Sequence, residues 1–146
     1  MVFIGLTRLR IRAWHFMPGF LTDTVKTAAQ VRWSGGYITG ALLADRKRTF
    51  WTMTAWQDQA AMKHYITTGS HLKAMPKLLG WCDEASIAYW TQGQTTLPDW
   101  TEADRRMRAE GRPSKVRHPS AHHLDMSFAP PRRHTSLPLK PATKSN

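Results

Sequence analysis

Cysteine is nearly absent: Cys82 stands alone in 146 residues, which excludes an internal disulfide and any cysteine-rich zinc site. Asparagine is missing before Asn146, so a mechanism that needs a pocket asparagine is excluded as well. No apolar run is long enough to cross a bilayer. The opening MVFIGLTRLRIRAW is broken by Arg8, Arg10 and Arg12, where a signal peptide would stay apolar. A cytoplasmic protein without a membrane span is the expectation. There is no P-loop, no Rossmann glycine fingerprint, no GxSxG elbow and no HExxH. No close carboxylate pair points to glycosidase chemistry.

Acidic residues are few. Ten Asp and Glu face 21 Lys and Arg, for a formal charge of +11. The excess is spread along the chain, so it is not simply a basic tail: residues 1–92 hold 11 basic against 5 acidic side chains, and the rest hold 10 against 5. Such a charge favours anionic partners. No groove-reading helix, zinc finger or aromatic RNA-binding signature accompanies it, which argues against nucleic acid.

Proline is scarce where tryptophan is plentiful. All seven tryptophans lie at or before Trp100, and seven of the nine prolines lie at or after Pro98. The front of the chain can bury a core; the back third has little to bury. Three parts are expected: a domain over 1–92, a docking segment and short charged helix over 93–111, and a basic, Pro-rich, disordered tail over 112–146.

Within 1–92 the pattern is legible. Residues 4–14 alternate, with Leu9, Ile11 and Ala13 on one face and Arg8, Arg10 and Arg12 on the other, the period of a strand. Pro18 opens a helix carrying Leu21, Val25, Ala28 and Ala29, which Gly35-Gly36 ends. Residues 37–44 and 49–56 form a hairpin across a short polar turn. From Asp58 a helical pattern runs in two pieces, bent near Gly69 and Pro76, and residues 84–91 close the domain as a fourth strand. The order is β-α-β-β-α-β, a ferredoxin-like α+β fold. It predicts a four-stranded antiparallel sheet with two helices on one face. The other face, given Thr52, Trp56 and the arginine row, would be bare in water, so pairing with a second copy into a dimeric α/β barrel is expected.

The runs GYITGALLADRKRTFWTMTAW and DQAAMKHYITTGSHLKAMPKLLGWCDEASIAYW carry a resemblance. They resemble small bacterial proteins of the dimeric α/β-barrel superfamily. That superfamily includes antibiotic-biosynthesis monooxygenases, haem-degrading monooxygenases and spheroidene monooxygenase. The resemblance implies a monooxygenase-like oxidoreductase acting on a hydrophobic or aromatic small molecule. It also implies haem as one candidate cofactor, because His71 in SHLKAM sits where haem-degrading relatives place their axial histidine. Arg8, Arg10 and Arg12 would then hold the propionates. Cofactor-independent oxygenation is the other chemistry the resemblance implies, in a pocket lined by aromatic side chains.

The candidate catalytic residues are His71 and Trp56, with Arg8, Arg10, Arg12, Trp51, Thr52, Tyr65 and Trp90 lining the pocket. Each has a plainer reading: an aromatic cluster at strand and helix spacing as core, and His71 as a local polar contact at a helix start. The alternative function is a non-catalytic module that binds a small molecule and engages an anionic partner through its tail.

Overall fold

The structure, a computed structural model, describes residues 1–133 and 135–142. β1 (Val2–Ile11) lies at the centre and pairs antiparallel with both β3 (Thr49–Trp56) and β4 (Cys82–Gln92). It is covered on both faces over much of its length, which is why apolar residues occupy both parities of its first half. α1 (Met17–Arg32) follows a single 3-10 turn at Trp14–Phe16, with Pro18 in its first turn. β2 (Tyr37–Asp45) pairs with β3 through the Arg46–Arg48 turn. α2 (Gln59–Ile66) starts where the Asp58 side chain accepts the Ala61 N–H at 2.8 Å. α3 (Gly69–Trp81) follows after a turn that Gly69 takes at φ +58, a conformation that favours glycine.

The expected four-stranded sheet, with helices on one face only and closing with a second copy into a barrel, is not what the chain forms. The sheet has six strands in the order β5-β4-β1-β3-β2-β6 and does not close. β5 (Arg112–Pro113) adds to β4, and β6 (Leu137–Pro138) adds to β2, so both edges are capped by the segment expected to be disordered. A fourth helix, α4 (Trp100–Glu110), packs on the face opposite α1–α3. Its N-cap is Asp99, whose side chain accepts the Glu102 N–H at 2.8 Å.

The physical reason lies in that second face. Ile4, Leu6, Leu43, Trp51 and Met53 all point away from α1–α3 and must be covered. Trp100 (3% exposed), Met107 and Phe128 from the chain's own last third cover them. Trp100 and Phe128 meet Trp51 edge-on, each at 6.4 Å between centroids. The ground for pairing two copies through this face is thereby removed. Composition misled because a few anchors fix the tail: Phe128, Pro131, Leu139 and His123 are buried amid exposed neighbours.

Face assignment is corrected too. Cross-strand partners share a face, and Arg8 stands opposite Trp51 while Thr7 stands opposite Thr52. Thr52 and Trp56 therefore look into the α1–α3 layer, and Trp51 shares the other face with Arg8.

Trp100→Ala is expected to lower stability by about 3–5 kcal/mol within one cooperative denaturant transition, because α4 is part of the core. Two separate transitions, with the main one unmoved, would show the cap unfolding on its own.

Candidate functional site

The helix layer covers its sheet face incompletely. A row across the sheet, Ile87–Thr7–Thr52–Leu42, is half-buried throughout, with two threonine hydroxyls at its middle. The next row holds Tyr89, Gly5, Thr54 and Gly40. A side chain at Gly5 would press on the Met62 sulfur and the Thr54 hydroxyl, so glycine here lets α2 approach the sheet. The result is a narrow, partly open strip with a hydroxyl-bearing centre, continued by Leu137 of β6 beyond Leu42 and by exposed Arg112 of β5 beyond Ile87.

Trp56, fully buried, borders the strip and donates its indole N–H to Thr54 Oγ1 at 2.9 Å. That bond uses the hydroxyl's acceptor side and leaves its proton free to donate. Tyr65 packs on Trp56 at 5.3 Å between centroids, and His71 packs on Tyr65 at 4.8 Å. Tyr65 donates to the Thr27 carbonyl at 3.2 Å, and burial pushes its phenol well above the ordinary range. It is a neutral wall.

His71 is set by a residue on another helix. Gln30 of α1 donates from Nε2 to the Tyr65 and Thr68 carbonyls at 3.1 and 2.9 Å. Its Oε1 accepts the His71 backbone N–H at 2.8 Å. One carboxamide thus satisfies backbone groups on both sides of the α2–α3 turn. Burial lowers the His71 pKa, opposed by a hydrogen bond to the Ile66 carbonyl. The imidazole is neutral at pH 7, and its buried Nδ1 has no partner.

The opposite face holds a separate polar cluster. Arg8 (5% exposed) donates to Glu84 Oε1 at 2.7 Å, and Glu84 is 1% exposed. Glu84 Oε2 takes Arg10 at 3.2 Å and the Ser120 hydroxyl at 2.9 Å. Arg10 also grips Asp83 with two nitrogens, at 3.1 and 2.9 Å. Buried His123 accepts the Ala85 N–H through Nδ1 at 3.3 Å.

The structure thus divides the residues singled out from the sequence. Thr52, Trp56, Tyr65 and His71 gather on the helix side. Arg8, Arg10, Trp51 and Trp90 lie across the sheet. Arg12 joins neither group: it donates to the Gly80 carbonyl at 2.6 Å, at the C-terminal end of α3, and stacks over Phe16. Trp90 donates to Gln92 at 3.1 Å under Arg106. The haem arrangement does not fit, because the sheet stands between His71 and two of the three arginines meant for the propionates, Arg8 and Arg10, and the third, Arg12, is held at the end of α3. Among the described residues no three His, Cys, Asp or Glu side chains converge on a metal site.

Sequence reasoning missed Gln30, Glu84, Ser120 and Phe128. A signal existed for Glu84, which shares strand parity with Ser86, Ala88 and Trp90 and so had to face inward opposite a charge. Cys82 is buried, with its thiol pushed up to about 12 by burial and Asp83.

No family model and no curated protein matches the sequence. Solved structures do match. SnoaB, a cofactor-independent oxygenase from Streptomyces nogalater, is 19% identical, with a TM-score of 0.53 over 67% of this chain and 98% of that one. An antibiotic biosynthesis monooxygenase is 14% identical, with a TM-score of 0.56 over 64% of this chain and 100% of that one. A conserved protein from Methanosarcina mazei is 11% identical, with a TM-score of 0.57 over 64% and 94%. The fold resembles that of the antibiotic-biosynthesis monooxygenases. At these identities the likeness is one of fold. Those proteins are spanned almost whole by a part of this chain about as long as its β1–β4 unit, so a third of the chain goes unmatched.

Glu84 links the far-face cluster to pH. Burial alone would raise its carboxyl, but the Arg8 hydrogen bond and charge, with Ser120 and Arg10, hold it below the ordinary 4.5. A depressed carboxylate stabilises the fold above its unfolded pKa, and that contribution is lost as pH falls through the folded value. Wild-type stability is expected to fall below about pH 4.5. Glu84→Gln is expected to cost about 3–5 kcal/mol at pH 7 and to flatten that acid limb, read by urea unfolding at a series of pH values.

Proposed function

We propose that the chain is a monooxygenase-like enzyme acting on a hydrophobic aromatic small molecule in the helix-side strip, with His71 as its base. The observation that supports this most is the neutral, buried His71 imidazole with an unpartnered Nδ1, joined through Tyr65 and Trp56 to the Thr54 hydroxyl. The likeness of fold to a cofactor-independent oxygenase points the same way.

The chemistry that suits these groups lets the substrate supply the electrons. With the Tyr65 ring turned aside to uncover it, His71 Nδ1 takes a proton from an activated aromatic methylene, and the electron pair left on carbon reduces dioxygen. A carbon–oxygen bond forms to give a hydroperoxide, which loses water to leave a carbonyl. In balance, one methylene and one dioxygen become one ketone and one water. His71 returns that proton to the peroxide oxygen, then takes the second C–H proton as the O–O bond breaks and passes it to the departing hydroxide, which leaves as water. A neutral base fits the task, since a base works only when unprotonated. Thr54, oriented by Trp56, donates to the substrate oxygen that gains charge. Thr7 and Thr52 offer further hydroxyls along the strip. Trp56 itself acts through Thr54, because its N–H is already committed. Among the described residues there is no asparagine for any of these roles.

Dioxygen uptake with 1,8-dihydroxy-9-anthrone, and appearance of the anthraquinone, is the direct assay. His71→Ala is expected to cut kcat by about 10²-fold or more. The wild-type kcat/KM should hold its plateau to a lower pH than an ordinary imidazole permits, because burial lowers the His71 pKa. Gln30→Ala is expected to lower kcat by a smaller factor, through loosened placement of His71. An unchanged rate in His71→Ala would sink the assignment. Saturable binding of the anthrone without turnover would instead favour the binding-module reading.

A further inference from the structure

Four buried side-chain polar atoms lack a partner among the described residues, and three of them belong to one row across the sheet. They are Ser86 Oγ on β4, Arg8 Nε on β1 and Trp51 Nε1 on β3, whose residues stand directly opposite one another in register. Directly opposed Cβ atoms lie about 5 Å apart, so Arg8 neighbours both Ser86 and Trp51, which flank it about 10 Å from each other. Leaving three such groups unpaired in one place is rare in a folded protein and calls for an explanation.

Over this row lies a single aromatic ring. Phe128 sits with its centroid 3.7 Å from the Arg8 guanidinium carbon and 4.8 Å from that of Arg108, and it meets Trp51 edge-on. Two guanidinium groups and an indole thus form a slot for a flat aromatic group. A phenyl ring fills that slot but can pair with none of the three polar atoms. The ring is delivered by a segment exposed on both sides, Ser127 and Ala129, just after Met126 at φ +52. A methionine in the left-handed region marks backbone held under strain.

We propose that this slot is a second ligand site, for a planar aromatic bearing a neutral oxygen such as a phenol or aryl ketone, with Phe128 as the plug that keeps it shut. The spare groups are two N–H donors and one hydroxyl, which together suit an oxygen acceptor. The oxygen is neutral because the charges nearby are already matched. Arg8 and Arg10 face Glu84 and Asp83, and Arg108 faces Asp104. The site lies across the sheet from the helix-side strip, and its test does not depend on turnover there.

The test uses the full-length chain carrying Phe128→Ala, titrated with 2-naphthol, naphthalene and 2-naphthoate by calorimetry and by 15N NMR of the indole and guanidinium N–H groups. The expected result is saturable 2-naphthol binding at least tenfold tighter than to wild type and tenfold tighter than naphthalene. It should shift the Trp51 indole resonance, identified by its loss in Trp51→Phe, and 2-naphthoate should bind more weakly. Equal affinity for naphthalene would mean a bare cavity over a sealed water, and overturns the proposal. So would a preference for 2-naphthoate, or no binding at all. Should Phe128→Ala lose its near-UV circular dichroism, Phe128→Leu, which removes the ring but keeps an apolar contact, decides by the same criteria.

Discussion

The buried pair between Arg8 and Glu84 is the interaction on which the rest of the structure depends. It sits on the central strand, one residue from the strip on the other face, and Glu84 also holds Arg10 and Ser120. Taking both charges out of water is costly, and their attraction offsets that cost only when the remaining oxygens and N–H groups are also bonded. Here Ser120 and Arg10 complete Glu84, and Phe128 covers the Arg8 guanidinium. All but Arg10 of these helpers come from residues 112–133, so the last third of the chain keeps solvent from the pair. A one-residue slip of β1 would move Arg8 to the helix side and strand Glu84 alone. The pair therefore fixes register more than it adds stability.

Strand parity then decides what each face can do. Even-numbered residues of β1 face α4 and the tail, and odd-numbered ones face α1–α3. This single alternation separates Arg8 from Thr7, and Trp51 from Thr52. It also separates His71 from Arg8 and Arg10, so an anionic ligand cannot bridge His71 to either of them. What remains on the helix side between β4 and β2 carries no fixed charge, the Arg112 of β5 standing at its edge beside Ile87: threonine hydroxyls, aromatic rings and one neutral imidazole. Such a surface suits a largely apolar, weakly polar ligand better than an ion.

Much of this was legible in the sequence, and the limits are physical. The alternation of Arg8, Arg10 and Arg12 identified β1 as a strand, and Asp58 marked the start of α2. Trp51 and Trp56 are five residues apart on one strand, which alone requires opposite faces. Which face belonged to the helices was not legible, because β1 is covered on both sides and both parities carry apolar residues. Gln30 could not be found from spacing: its importance comes from a turn some 35 residues away that folding brings beside it. The tail was misread for a different reason. Average composition measures how much a segment can bury, but docking needs only a few anchors when the receiving face is apolar and already formed.

The two faces also differ in how a ligand would reach them. The helix-side strip is partly open in the folded chain, so entry there requires no element to move, and occupancy follows ordinary encounter. The slot under Phe128 is closed, and anything that enters it must first displace the plug. Opening exposes Arg8, and with it weakens the shielding of the Glu84 pair that holds Ser120 and the rest of the segment in place. Binding on the far face is therefore coupled to the packing of the whole C-terminal third, while binding on the helix side is not. The same central strand serves both faces, so a ligand that reorganised the Arg8 row would act on the backbone carrying Thr7, one residue away. Communication between the two faces runs along β1, β3 and β4, where Arg8, Trp51 and Ser86 adjoin Thr7, Thr52 and Ile87, and its sign is set by whether the register-fixing pair survives the displacement of Phe128.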